Sequence, residues 1–121
     1  GEIMVPRGKF VSVANNLPVQ DLLDLARKTD CNRFPVYQSE NKAFVGIIHI
    51  FDVLADAHSE GKTVQNYMRP PQLVAIHTPV DHVLPRMRVT RQPMVLVSDD
   101  RMEVVGLVTL EDVLEEIVGE F

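Results

Sequence analysis

Two short stretches of the chain set a polar side chain where an apolar run passes into a helical pattern, with an acidic residue three positions later: Thr109 with Asp112, and His49 with Asp52. Two readings fit Thr109 and Asp112. In the first they form a capping box, the hydroxyl accepting from the third helical amide while the carboxylate reaches back to the cap, worth ~1 kcal/mol to the helix. In the second, the same free amides and positive dipole end receive an anion, and the hydroxyl adds a hydrogen bond to a phosphate. A carboxylate repels phosphate, so Asp112 would have to face a neutral diol; the hydroxyls of a ribose are such a target. Gly106 nearby permits close backbone approach.

The elements that position these residues occur twice. Gly46-Ile47-Ile48-His49-Ile50-Phe51-Asp52-Val53-Leu54 returns sixty positions later as Gly106-Leu107-Val108-Thr109-Leu110-Glu111-Asp112-Val113-Leu114. Earlier landmarks recur at nearly the same spacing: Met4-Val5-Pro6 with Met68-Arg69-Pro70, Pro18-Val19 with Pro79-Val80, and Pro35-Val36 with Met94-Val95. The unit is therefore about sixty residues long, beyond the shorter periods of solenoids. We divide it at residues 1–61 and 62–121, with the polar, glycine-containing stretch from Ser59 to Asn66 as the connection.

Helical spacing supports the duplication independently. Apolar residues fall at i, i+3, i+4 and i+7 in four places: Val19, Leu22, Leu23, Ala26; Ile50, Val53, Leu54, Ala57; Val80, Val83, Leu84, Met87; and Leu110, Val113, Leu114, Ile117. Strand-like runs cover Arg33 to Tyr37, Phe44 to Ile48, Met94 to Val97 and Val104 to Val108, with a further strand before each first helix at Phe10 to Val13 and Leu73 to Ile76. The order per half is strand, helix, strand, strand, helix, an α+β unit that covers one face of its sheet and needs its twin. Pro85 falls inside the third helical pattern and predicts a kink or early break there.

Composition excludes several classes of function. A net charge of −5, with no clustering of Lys or Arg among aromatics, argues against nucleic acid. The single Cys31 allows neither an intrachain disulfide nor a thiolate metal cluster; its expected role is a small buried or half-buried apolar residue in a reducing compartment. His49, His58, His77 and His82 show no zinc-ligand spacing, and no Ser, Cys or Lys stands in a nucleophile motif, so we expect neither an enzyme nor a protein-bound metal. Glu111, Glu115 and Glu116 read as a solvated helix face. No apolar run approaches the ~20 residues of a membrane span. The ends, Gly1 and Gly119-Glu120-Phe121, look like cuts in a longer protein.

The repeated Gly-hydrophobic-hydrophobic-Thr-x-x-Asp ending, Arg33-Phe34-Pro35-Val36 and the order of elements resemble CBS domains, which occur in pairs called Bateman modules. Ile3-Met4-Val5-Pro6-Arg7 and the long closing motif from Gly106 to Glu120 resemble more closely the CBS pair of the CorC/HlyC (hemolysin-like) and cyclin M magnesium/cobalt transport family. The resemblance covers essentially the whole chain. It implies two CBS repeats packed as a pseudo-two-fold pair, an adenine nucleotide (ATP with Mg²⁺ held through the phosphates), an attached transmembrane transport domain, and a place on the cytoplasmic side of the inner membrane as the soluble part of a membrane protein. By resemblance Thr109 holds phosphate and Asp112 ribose, Met4, Val5 and Pro6 form the opposite wall, and Arg33 faces the phosphates. Val5 stands where some relatives carry a hydroxyl residue, which implies binding weaker by ~1 kcal/mol.

In the first half His49 replaces the threonine, Asp52 is kept, and Arg69 takes the place of Val5. We expect this second site to be degenerate or empty, with an anion site built from His49 and Arg69 as the other reading. Two functions remain open from sequence: a regulatory module whose nucleotide shifts the arrangement of the pair, and a ligand-free scaffold that dimerises through its helices.

Overall fold

The computed structural model describes residues 3–119, so Glu120, the last residue of the closing motif, lies outside the described residues. The order is β1 (Val5–Pro6), β2 (Val13–Ala14), α1 (Val19–Thr29), β3 (Arg33–Tyr37), β4 (Phe44–His49), α2 (Ile50–Leu54), β5 (Leu73–Ala75), α3 (Val80–Thr90), β6 (Met94–Ser98), β7 (Val104–Thr109) and α4 (Leu110–Val118), with short 3₁₀ turns at Arg7–Lys9 and Val64–Asn66. This is the expected α+β pattern written twice, with four helices and two mixed sheets. The strands before each first helix are shorter than expected, Val13–Ala14 and Leu73–Ala75. Among the described residues no helix is long and apolar enough to cross a membrane.

The described chain forms two compact units: Val11–Pro71, and residues 3–10 together with 72–119. Their sheets match. In one, β2 runs parallel to β3 and β3 antiparallel to β4; in the other, β5 runs parallel to β6 and β6 antiparallel to β7, with β1 added at the outer edge of β7. Each antiparallel pair carries an irregularity at the same place, between Val36 and Tyr37 and between Val97 and Ser98.

Each unit has its own core. Val13, Val19, Leu22, Ala26, Phe34, Val36, Ile48, Val53 and Val64 fill the first. Val74, Val83, Met87, Val95, Val97, Val108 and Val113 fill the second. The cross-strand pairs Phe34–Ile48 and Val95–Val108 occupy corresponding places, as period-two alternation on a half-covered sheet requires. A fully buried side chain such as Leu22 stabilises by about 1.5–3 kcal/mol. The first helix of each half ends on a left-handed residue, Asp30 and Arg91, whose amide returns to the carbonyl of Ala26 and Met87 respectively.

Three expectations need correction. α3 runs through Pro85 to Thr90 without an early break. Pro85 and Asp81 are both exposed, so the one carbonyl that loses its helical partner turns to water, and Val83 and Met87 hold the opposite face in the core. Cys31 is exposed, because it follows the left-handed cap of α1 in the turn before β3. α2 is a short helix that stops at Leu54, so Ala57 lies beyond it and the predicted stripe is incomplete.

Candidate functional site

Thr109 ends β7 in extended conformation, and the amide of Leu110 is tied to the carbonyl of Pro93 at 2.7 Å where α4 begins. The Thr109 hydroxyl accepts from the Asp112 amide at 3.2 Å. Half of the capping box is therefore present. The other half is not: the half-buried Asp112 carboxylate makes no hydrogen bond or ion pair among the described residues. A carboxylate that is not used to close the cap is left to accept from something else.

Opposite Asp112 stands β1. Val5 pairs with Leu107 and Pro6 with Gly106 in antiparallel register. Gly106 lies inside β7, and the atom it lacks is what lets β1 come so close: a Cβ there would stand 2.5 Å from Met4 Cγ and 2.6 Å from the Val5 carbonyl oxygen. The close approach foreseen for Gly106 is thus to the wall segment itself. Between the two walls lies a cavity of about 620 Å³, with Ile3, Met4, Val5 and Pro6 on one side and Asp112, Glu115, Glu116 and Gly119 on the other. Its size is ordinary for a small-molecule site. Thr109 is not among the lining residues; it is joined to Asp112 by the hydrogen bond from the Asp112 amide. Sequence reasoning missed Glu115 and Glu116 as cavity residues; they follow Asp112 by three and four positions, the spacing that shares a helix face.

The corresponding place in the other unit is built from the same backbone and different side chains. Arg69 is bridged to Ile47 by two backbone hydrogen bonds of 2.9 and 2.8 Å, as Val5 is paired with Leu107, and a Cβ on Gly46 would stand 2.8 Å from the Arg69 carbonyl oxygen. His49 makes no cap hydrogen bond to α2; its ring lies 4.5 Å from that of Phe51. Arg69 forks onto Asp52, Nε to Oδ2 at 2.8 Å and Nη2 to Oδ1 at 2.6 Å. Arg33, expected to face phosphates beside Thr109, lies in this unit, directly across β3 and β4 from His49. Burial first, then Arg69, lowers the Arg33 pKa against the pull of Asp52. Burial first, then Arg33, lowers that of His49, with Arg69 adding to the effect and Asp52 opposing it.

The CBS domain family model matches residues 1–58 and 64–119. Among curated proteins the chain is 32% identical to UPF0053 protein YhdP of Bacillus subtilis, covering 98% of this chain and 28% of that protein. It is also 32% identical to the magnesium and cobalt efflux protein CorC of Salmonella typhimurium, covering 98% and 41%. The chain thus spans well under half the length of these relatives. Among solved structures, the CBS domain of a bacterial CNNM/CorC family Mg²⁺ transporter in complex with ATP superposes with a TM-score of 0.89 at 35% identity, covering 98% of this chain and 86% of that one. Both halves match one family, and the same order of elements is built twice: the chain belongs to the CBS domain family, as a tandem pair closely related to the CBS modules of CorC/CNNM Mg²⁺ transporters.

Proposed function

We propose that this module binds an adenine nucleotide, ATP with Mg²⁺ carried on its phosphates, between Asp112 and the Met4 to Pro6 wall, and thereby regulates an attached magnesium/cobalt transport domain in the membrane. The observation that carries this reading is the Asp112 carboxylate, without a partner among the described residues, on the wall of a ligand-sized cavity. Its oxygens can accept from both hydroxyls of a ribose. Ile3, Met4, Val5 and Pro6 offer an apolar surface to the base. The Thr109 oxygen accepts from the Asp112 amide, which leaves its own proton to donate to a phosphate oxygen.

Electrostatics argue for the cation. Asp112, Glu115 and Glu116 share the cavity wall, so a bare polyphosphate approaches three carboxylates. Mg²⁺ on the phosphates offsets that repulsion. In this reading the ligand's oxygens and water supply the coordination of the ion. The similarity to a CBS domain solved with ATP, and to a protein named for magnesium and cobalt efflux, supports the ligand class and the attached domain. In this reading the module faces the cytoplasm and acts by binding, not by catalysis: ligand changes output by favouring one arrangement of the full-length protein over another.

Calorimetric titration of ATP with and without Mg²⁺ tests the reading. Saturable heat that is larger with Mg²⁺ and weakened at least tenfold by Asp112→Ala is expected; no heat at millimolar nucleotide would defeat it. A second reading has its own observation. Phe51 and Leu54 on α2, and Ile117 and Val118 on α4, are exposed at 48% or more, which suits a homodimer formed through these helices. Sedimentation that shows a dimer, together with the absence of nucleotide heat, would leave the scaffold reading standing.

A further inference from the structure

The outward face of α3 carries a charge opposite to that of the chain as a whole. Val83 and Met87 hold one side of this helix in the core, and the other side exposes Pro85, Arg86, Arg88 and Val89. Helical spacing sets Pro85 and Val89 one turn apart along the crest of the exposed face, with Arg86 on one flank and Arg88 on the other. Arg91 follows at once, in the left-handed cap. Val89 is 84% exposed, more than any other large apolar side chain among the described residues. The chain has seventeen Asp and Glu against twelve Lys and Arg, yet none of the seventeen falls between residues 82 and 98. Asp81, the one acidic residue of α3, precedes Arg88 by seven positions, about 10 Å along the axis, which is about the distance over which physiological salt screens a charge. The ion pairs among the described residues use none of these three arginines. One cation in the last turn suffices to complement the helix dipole; it does not account for two that bracket an exposed apolar crest.

We propose that this face of α3 docks on a membrane surface rich in anionic phospholipid, with Arg86, Arg88 and Arg91 on the phosphates and Val89 dipped among the headgroups. The crest is convex. A peptide partner is ordinarily taken up in a groove or along a sheet edge, whereas a headgroup layer receives a projecting side chain anywhere on its plane. An apolar crest flanked by cations is the pattern of a helix that lies in such an interface. Guanidinium forks match the paired oxygens of a phosphodiester. The acidic remainder of the chain, which brings the net charge to −5, is repelled by the same surface, so charge also selects which face approaches. The proposal is independent of the nucleotide reading: it uses no residue of the cavity walled by β1 and α4.

The test is NMR of the whole chain with vesicles of phosphatidylcholine alone and of phosphatidylcholine with an equal part of phosphatidylglycerol, reading the broadening of each backbone amide. Broadening confined to α3 and the residue after it is expected with the anionic vesicles only, and it should fade as NaCl is raised from about 0.05 M to about 0.5 M. Each arginine contributes about fivefold to partitioning, so replacing Arg86, Arg88 and Arg91 together by Gln weakens it about a hundredfold. Replacing the same three by Lys retains most of it, because the charge is kept. Val89→Ser lowers partitioning several-fold and leaves the salt dependence as it was. Asp112→Ala changes nothing, whether or not that variant still binds ATP, so this proposal and the nucleotide reading fail separately. Three results overturn the proposal: anionic vesicles that leave α3 unbroadened at low salt, broadening that persists in a folded triple Gln variant, and a soluble polyglutamate that perturbs α3 more strongly than the vesicles do. Broadening of α3 that grows with protein concentration before any lipid is added also overturns it, since the face would then belong to a second copy of the chain.

Discussion

Substituting Gly106 by alanine tests the link between the packing of β1 and the cavity it walls. The added Cβ would meet Met4 Cγ at 2.5 Å and the Val5 carbonyl oxygen at 2.6 Å, and the second of these is backbone, which no rotamer change can move. Carbon contacts settle near about 3.5–4.0 Å, so β1 must retreat by about 1 Å. Overpacking of this kind costs about 1–3 kcal/mol, and the β1 to β7 hydrogen bonds it strains are worth about 1 kcal/mol each. Loss of about 2 kcal/mol is expected, which at a slope of about 1.5 kcal/mol/M lowers the urea midpoint by roughly 1 M. Because β1 is also the wall opposite Asp112, the ATP dissociation constant rises in the same variant. Gly8→Ala is the control, since a Cβ there meets nothing within 4 Å. Equilibrium unfolding and calorimetry on the two variants settle the matter. If Gly106→Ala matches Gly8→Ala in both stability and affinity, the account of the wall is wrong.

Other perturbations have defined outcomes. Thr109→Val removes the α4 cap and lowers stability by about 1 kcal/mol, and it weakens ATP as well, whereas a pure cap would change only the urea midpoint. Pro85→Ala restores the missing helical bond at an exposed position and raises the urea midpoint by an amount equivalent to about 1–3 kcal/mol, checked by the same unfolding curves. Asp56 accepts from Tyr67 at 2.5 Å and from Lys62 at 2.9 Å, and these with the His58 amide hold its carboxyl well below the usual carboxylate range. Its contribution is thus full above the unfolded value near 3.9 and is lost as pH falls toward the lower folded value; thermal melts of Asp56→Asn should show the variant less stable at pH 6 and equal to wild type in strong acid. Cys31, being exposed, should react with a thiol reagent in the native state as fast as in urea.

Much of the architecture was legible because duplication and period are local properties of a sequence. The Gly46 and Gly106 endings, the stripe of Val19, Leu22 and Ala26, and its copy of Val80, Val83 and Met87 were readable without tertiary knowledge. Pro85 was misread because the cost of a helical proline depends on whether the freed carbonyl reaches water, which spacing does not encode. Arg33 illustrates a second limit. That Arg33 stands across from His49 is set by the register of β3 on β4, which depends on the turn between them and on the irregularity after Val36. Glu115 and Glu116 belong to the cavity only because β1 lies across from them, although their helical offset from Asp112 was visible.

The division of the chain has a consequence for how it folds. Val11–Pro71 is one unbroken stretch, whereas the other unit is assembled from residues on both sides of it. The strand that walls the candidate nucleotide cavity must find β7 across that whole insertion. Closing a flexible loop of this length costs about 3–4 kcal/mol in entropy, and an insertion already folded removes most of that search. The contiguous unit should therefore form first and shorten the search of the split one, and a destabilising change in its core, such as Leu22→Ala, should slow the formation of the cavity walled by β1 and α4.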